Sequence, residues 1–154
     1  MDTPSDFERD AMREAVAQAR AAVCEPGKAG IAAAVLRDGK IVATGTNHVE
    51  RDTDPTQHAE IVALGRATAA LGRADLGDCV LISTLQPCEM CLAAARFAGI
   101  RRIIFAARKE NVAAKYFVFP HLTLGDFQGA PPAFAIIGGV MEDDVLDLYE
   151  DGQE

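Results

Sequence analysis

The sequence is short of cations, of aromatic residues and of histidine. Its 154 residues include no tryptophan and only three histidines, and 15 Lys and Arg against 23 Asp and Glu give a formal net charge of −8. Proteins that bind long nucleic acids gain affinity from clustered cations, because cation–phosphate contacts release counterions. A nucleic-acid partner is therefore disfavoured, and a small neutral or cationic substrate fits this charge better.

The sequence also lacks targeting and membrane signals. The N-terminus has neither the basic nor the apolar region of a signal peptide, and no run approaches the roughly 18 apolar residues of a membrane span. These absences predict a cytoplasmic protein with no membrane partner, in which the four cysteines are free, metal-bound or catalytic rather than disulfide-bonded. The length predicts a single domain over residues 1–154.

What the sequence does contain is an alternation of strand and helix patterns. Ser5 and Glu8 have the spacing of a capping box at the start of a first helix, and Asp38-Gly39 is typical of a hairpin turn. Strands are predicted over 30–36, 40–46, 78–84, 101–106 and 133–140, and helices over 58–70, 88–98 and 143–149. We expect a three-layer α/β/α fold with a central sheet of about five strands, parallel where a helix joins two strands. Segment 111–132 shows no clear pattern, and whether it covers a site stays open.

Three side chains have the types and spacing of zinc ligands. His58 and the pair Cys88 and Cys91 each stand at the start of a predicted helix. Zinc binds imidazole and thiolate ligands tetrahedrally, and a catalytic site keeps its fourth position open for water. The unpaired N–H groups and the dipole of a helix N-terminus also stabilise thiolates. The three residues therefore predict a catalytic zinc site rather than a closed one.

Glu60 lies two residues after His58, in the first turn of the same predicted helix. From there its side chain can point to the open side of the metal without being a ligand. A carboxylate in that position can take a proton from water and pass it to a leaving nitrogen, acting first as general base and then as general acid. We expect Glu60 to be the catalytic residue of a hydrolase.

Two motifs carry a resemblance to a known family: D-P-T-Q-H-A-E over 54–60 and P-C-E-M-C over 87–91. They resemble the H-x-E and P-C-x-x-C signature of zinc deaminases. Over about residues 30–106 the chain is identified as a member of the cytidine/deoxycytidylate deaminase superfamily, in the branch of guanine, fungal-type cytosine and tRNA adenosine deaminases. The resemblance implies a cytidine-deaminase-like fold, one zinc ion per chain held by the three predicted ligands, a proton shuttle at Glu60 and a homodimer.

The same resemblance implies residues that contact the substrate base. They are the side chain of Asn47 and the backbone N–H of Ala59. Fungal-type cytosine deaminases end in an aromatic-Glu-Asp segment whose Asp reaches the exocyclic amine, which makes Asp151 a further candidate. The aromatic residues within 116–119, Phe119 among them, are candidates for an apolar wall that stacks on the base.

We therefore expect a zinc-dependent hydrolytic deaminase that releases ammonia from a small nucleobase, nucleoside or related amino-heterocycle of cytosine or guanine type. Guanine deaminases carry an acidic pair where this chain has A-K-Y-F-V-F-P over 114–120. A tRNA-specific adenosine deaminase is the first alternative, and a non-catalytic zinc-binding module, against which Glu60 stands, is the second. A basic strip would favour the tRNA alternative, and the residues that could form it are Arg101, Arg102, Arg108, Lys109 and Lys115.

Overall fold

The chain alternates strands and helices in the order that the sequence patterns predict. A computed structural model describes residues 3–25, 29–129 and 131–152. The helices are α1 Asp6–Val23, α2 Val49–Asp52, α3 Ala59–Leu71, α4 Glu89–Phe97, α5 Leu124–Gln128 and α6 Leu146–Tyr149. The strands are β1 Ala32–Arg37, β2 Lys40–Thr46, β3 Val80–Leu85, β4 Arg102–Ala107 and β5 Ala135–Ile137. Among the described residues we find no helix that combines the length and the apolar character needed to cross a membrane.

The five strands form one sheet in the order β2-β1-β3-β4-β5. β1 pairs antiparallel with β2 and β3, whereas β4 is parallel to both β3 and β5. The parallel strands β3 and β4 are joined by α4, which confirms the predicted strand–helix–strand unit. Between β1 and β2, Asp38 and Gly39 have positive φ angles of 50° and 70°, as the predicted two-residue hairpin turn requires.

Helices cover both faces of the sheet, which confirms the predicted three-layer α/β/α architecture. Successive residues of β1 point to opposite faces, because side chains alternate along a strand. Ala32 and Ala34 belong to the buried cluster that includes α1 and Tyr149 of α6, whereas Ala33 and Val35 pack with α3 and α4. α3 and α4 therefore share one face of the sheet.

The last strand is shorter than its sequence pattern indicates. The prediction over 133–140 is wrong at its ends, since β5 covers only Ala135–Ile137. Gly139 has a positive φ of 80°, and the backbone at Gly138 lies so close to the Phe105 ring that a side chain would not fit. The Phe105 ring of β4 therefore occupies the space beside the backbone where β5 ends.

The acidic helix predicted over 143–149 is divided in two. A 3-10 turn covers Glu142–Asp144, and α6 follows it. The backbone leaves helical geometry at Val145, with φ −133°, and the side chain of Val145 is fully buried in the cluster that contains α1. We attribute the break to the burial of Val145, whose side chain packs in the same cluster as α1.

An ion pair fastens the start of α1 to the sheet. The predicted capping box is confirmed, with the Ser5 hydroxyl accepting the Glu8 N–H and the Glu8 carboxylate accepting the Ser5 N–H. The same carboxylate accepts two N–H groups of Arg102, at 2.8 and 2.9 Å. The Arg102 guanidinium holds the pKa of the Glu8 carboxyl below its usual range.

Glu8→Gln should lower the free energy of unfolding at pH 7 by about 2 kcal/mol, because a charge-assisted pair is lost while Arg102 remains largely covered. Because the pKa of the Glu8 carboxyl is lower in the folded than in the unfolded chain, its ionisation stabilises the fold at pH values above the pKa of the unfolded chain. This stabilisation is lost as the pH falls through the pKa of the folded protein. Urea unfolding should therefore show a smaller difference between wild type and variant at about pH 3 than at pH 7.

The matched control is Asp10→Asn, in an ion pair with Arg13 whose side chains are 70% and 64% exposed. We expect this variant to change stability by less than about 0.5 kcal/mol, because solvent screens exposed pairs. Equal losses for Glu8→Gln at the two pH values would contradict the charge-based explanation.

Candidate metal centre

The three predicted ligands lie at the N-termini of α3 and α4. His58 and Cys88 are the N-cap residues of these helices, with extended backbones, and neither side chain forms a capping hydrogen bond to its own helix. Cys91 follows in the first turn of α4 and is fully buried. Two helix starts thus direct their polar side chains at one another instead of at their own backbones.

The spacing of these side chains fits a zinc ion. One donor atom from each of His58, Cys88 and Cys91 lies within 4.8 Å of the others. His58 Nδ1 is 3.5 Å from Cys88 Sγ and 3.7 Å from Cys91 Sγ. Zinc–sulfur bonds of about 2.3 Å and zinc–nitrogen bonds of about 2.0 Å at tetrahedral angles require a sulfur–nitrogen separation of about 3.5 Å. The donor set and its geometry therefore match those of a three-ligand zinc site.

The two sulfurs and the imidazole are electrostatically linked. A hydrogen bond with Cys91, with a further contribution from His58, lowers the pKa of the Cys88 thiol to about 4. The same bond and burial raise the pKa of Cys91 far above its usual range, and the Cys88 hydrogen bond raises the pKa of His58. One sulfur is thus a thiolate at neutral pH, and a cation bound among the three groups would replace the protons they now share.

Glu60 is buried beside this cluster. It lies in the first turn of α3 and is 4% exposed. Burial, with a smaller contribution from the charge of Cys88, raises the pKa of its carboxyl to about 7. A carboxyl group with such a pKa is populated both with and without its proton near neutral pH, as an acid–base group must be.

The cluster opens into a cavity of about 250 Å³. Asn47, His58, Glu60 and Cys88 line its polar side. The rest of the wall includes Ile31, Leu85, Gln86, Lys115, Tyr116 and Val118. The cavity therefore combines a few converging polar groups with apolar walls, the usual character of a site for a small organic ligand.

A larger cavity of about 600 Å³ lies on the other side of Gln86, between residues 109–117 and 120–125. Its lining contains none of the three candidate ligands and not Glu60. Size alone therefore does not identify the reactive site, and we assign the chemistry to the smaller cavity because the acid–base and metal-binding groups are there.

Asn47 lines the cavity, whereas Ala59 is fully buried and is not among the described residues that line it. The side-chain oxygen of Asn47 accepts the Val49 N–H at 3.0 Å, which fixes the orientation of the amide and leaves its NH2 group as the donor. Ala59 is the first residue of α3, where a backbone N–H has no acceptor within the helix. The Asn47 NH2 group can therefore donate a hydrogen bond into the cavity, and the Ala59 N–H stays a predicted substrate contact.

The structure does not bring Phe119 or Asp151 to the cavity lining formed by the described residues. The backbone N–H of Phe119 donates to the Glu89 carboxylate at 3.1 Å, and its ring is 54% exposed. Val118 lines the cavity in its place. Asp151 is an exposed residue after α6.

Sequence reasoning missed several wall residues. Gln86 could have been found, because it directly precedes the Pro87-Cys88 motif. Lys115 and Val118 lie in the segment without a clear pattern, and no local signal distinguishes them from their neighbours.

The sequence profile described as the cytidine and deoxycytidylate deaminase zinc-binding region matches residues 5–107 of the chain. The fold is similar to that of the guanine deaminase from Nitrosomonas europaea, with a TM-score of 0.81 and 27% identity over 96% of this chain and 84% of that one. The match contains all three candidate ligands and Glu60.

Curated relatives point to more than one substrate. The chain is 39% identical over 98 residues to the guanine deaminase of Bacillus subtilis, across 61% of this chain and 63% of that protein. It is 39% identical over 97 residues to the tRNA-specific adenosine deaminase of Agrobacterium fabrum, across 63% of each protein. It is 38% identical over 149 residues to the tRNA(Ile)-lysidine synthase of Deinococcus deserti, across 96% of this chain but 27% of that protein. The chain thus spans less than two thirds of the length of each of these relatives.

Cys88→Ala should abolish stoichiometric zinc binding, because two remaining protein ligands hold the ion far more weakly than three. Zinc content after dialysis, measured by elemental analysis, should fall from about one ion per chain to a small fraction of that. Cys79→Ala is the matched control, since Cys79 is also buried but packs in the cluster of α3 and α4. Full zinc content in the Cys88 variant would contradict the proposed ligand set.

Proposed function

The chain belongs to the cytidine and deoxycytidylate deaminase family, and on this premise we propose that it is a zinc-dependent hydrolytic deaminase of a small amino-heterocycle. The observation that carries the proposal is the convergence of His58, Cys88 and Glu60 on one cavity of about 250 Å³, with a donor atom of Cys91 within 4.8 Å of those of His58 and Cys88. A metal-binding set and a buried carboxyl at one cavity are the parts that hydrolysis of a ring amine needs.

His58, Cys88 and Cys91 hold the zinc ion in this proposal. When bound, zinc supplies Lewis acidity that makes water a nucleophile near neutral pH. The three side chains would hold the ion beside the cavity, and Cys91, which is fully buried, would be the least exposed of its ligands. Three protein ligands leave one of the four tetrahedral positions for the reaction.

Glu60 moves the protons. Its carboxylate accepts a proton from the water whose oxygen bonds to the ring carbon and passes this proton to the adjacent ring nitrogen. It then takes the remaining hydroxyl proton and gives it to the amine as the carbon–nitrogen bond breaks. Water and the amino-heterocycle thus give the ring carbonyl and ammonia, and Glu60 ends in its starting state. Burial suits this role, because desolvation raises the pKa of the carboxyl and makes it a better proton acceptor.

The side of the ring opposite the amine meets other groups of the same cavity. The Asn47 NH2 group and the Ala59 N–H are donors for acceptor atoms of the ring, and Tyr116 gives an apolar surface for its face. The volume of about 250 Å³ is suited to a free base of guanine or cytosine type. Similarity to two guanine deaminases favours guanine as the first compound to test.

The basic residues favour a small substrate over an RNA stem-loop. Arg102 pairs with Glu8, and Arg108 lies 3.7 Å from the Glu142 carboxylate. The Lys109 ammonium donates to the carbonyls of Pro120 and Leu122 at 2.8 and 2.9 Å. Arg102, Arg108 and Lys109 are therefore engaged by the chain itself, and the net charge of −8 is unfavourable for RNA.

The second candidate function is that of a tRNA-specific adenosine deaminase, because a relative with that activity is 39% identical over 97 residues.

We further propose that residues 1–154 act as one deaminase domain in the cytoplasm and form a homodimer. α1 and α6 pack in one buried cluster with the sheet, which supports a single domain. Phe97, 94% exposed at the end of α4, gives an apolar contact for a second copy.

Zinc-loaded protein should release ammonia from guanine or cytosine in a panel that also contains adenine, the nucleosides and a tRNA anticodon stem-loop. An enzyme-coupled ammonia assay measures each compound, and protein stripped of metal is the control. Turnover of the stem-loop alone would establish the tRNA-specific activity instead. No turnover of any compound by zinc-containing protein would support a non-catalytic zinc module.

Glu60→Gln should lower kcat by about 10²–10⁴-fold while zinc content is unchanged, because the variant keeps the ligands and the shape of the side chain but removes the acid–base group. Steady-state kinetics with the best substrate of the panel and elemental analysis provide the two readouts. Glu50→Gln, at an exposed carboxyl of α2, is the control and should retain wild-type activity. Activity of Glu60→Gln close to wild type would exclude Glu60 as the proton shuttle.

A further inference from the structure

Tyr149 is the largest of the fully buried side chains and lies at the end of α6. Its hydroxyl group forms hydrogen bonds with the Thr84 hydroxyl at 2.7 Å and with the Gly30 carbonyl at 2.5 Å. The Thr84 oxygen also accepts the Ala32 N–H at 3.1 Å. Since the Gly30 carbonyl can only accept, Tyr149 donates to Gly30 and accepts from Thr84.

Two further contacts join Tyr149 to the segment after β4. Its backbone carbonyl accepts the Ala113 N–H at 2.9 Å. Its ring meets the Tyr116 ring edge to face, with centroids 5.9 Å apart and planes at 81°. This geometry is favourable for an aromatic pair and fixes the relative position of both rings.

Each segment that Tyr149 contacts supplies a wall of the candidate reactive cavity. Ile31 follows Gly30, Leu85 follows Thr84, and Tyr116 is itself in contact. The three segments are far apart in the sequence, and Tyr149 joins all of them. A single side chain thus sets the distances between three walls of a cavity that it does not itself line.

We propose that Tyr149 is a positioning residue of the reaction, which acts through Tyr116, Ile31 and Leu85 to hold the cavity at the width of the substrate ring. This inference rests on the proposed function for its chemical meaning. The walls contact the substrate ring in the ground state and in the transition state alike. Loosening the walls therefore weakens the binding of the substrate and of the transition state equally. Such a change raises KM and leaves kcat nearly unaltered.

Tyr149→Phe tests the proposal, because it keeps the ring and its contact with Tyr116 and removes only the hydroxyl group. The Gly30 carbonyl and the Thr84 hydroxyl then lose a buried partner, and we expect KM to rise about tenfold with kcat within about twofold of wild type. Zinc content should be unchanged, since none of the candidate ligands contacts the hydroxyl group.

Val145→Ala is the matched control for a general loss of stability. Val145 is as fully buried as Tyr149 and belongs to the same buried cluster, but it does not line the cavity. This variant should lower the melting temperature at least as much as Tyr149→Phe and leave KM unchanged. Thr84→Val removes the Thr84–Tyr149 bond from its other end, together with the bond from the Ala32 N–H. Its effect on KM should add only in part to that of Tyr149→Phe, because both variants lose the bond that they share.

Hydrogen exchange followed by mass spectrometry tests the proposal without any substrate. Tyr149→Phe should speed amide exchange in peptides covering 29–32 and 113–116, the two loop segments that the residue contacts, and Val145→Ala should do so less. If the wild-type protein turns over no compound, the proposed function fails while this readout still decides the role of Tyr149. Wild-type KM together with unchanged exchange in Tyr149→Phe would overturn the inference.

Discussion

Convergence of two helix N-termini on one point is the constraint on which the rest of this structure depends. His58 begins α3 and Cys88 begins α4, and their donor atoms lie 3.5 Å apart. That separation requires the two helices to share one face of the sheet, and therefore requires the strands that precede them to be close in the sheet. The strands that precede α3 and α4 are β2 and β3, and only β1 lies between them in the sheet.

The site buries polar and ionisable side chains whose burial is unfavourable when no metal ion or substrate is bound. A thiolate, a second thiol and an imidazole are held together, and the Glu60 carboxyl is buried beside them with a raised pKa. Burying such groups costs stability, which the surrounding core must offset. The apolar clusters on the two faces of the sheet supply this stabilisation, and the C-terminal helix adds to it through Tyr149.

Local signals in the sequence predict the parts of the structure that depend on local geometry. The capping box at Ser5 and the turn at Asp38-Gly39 join residues that are close in the sequence, and the candidate ligands lie in two short motifs at the starts of α3 and α4. The wall of the cavity depends on long-range packing instead, and there the prediction weakened. Val118 lines the cavity although it is 78% exposed, and its neighbour Phe119, 54% exposed, does not line it; both lie in a bent segment without a regular side-chain pattern. The break at Val145 likewise arises from burial against α1, which no local pattern records.

The most direct test of a catalytic zinc site is X-ray absorption spectroscopy of the zinc-loaded protein. The account predicts two sulfur ligands at about 2.3 Å and two lighter ligands at about 2.0 Å, one of them the His58 imidazole and the other an exchangeable water. Addition of a substrate-like heterocycle should alter only the lighter ligands. A spectrum with four sulfur or imidazole ligands from the protein would describe a closed structural site and contradict the account.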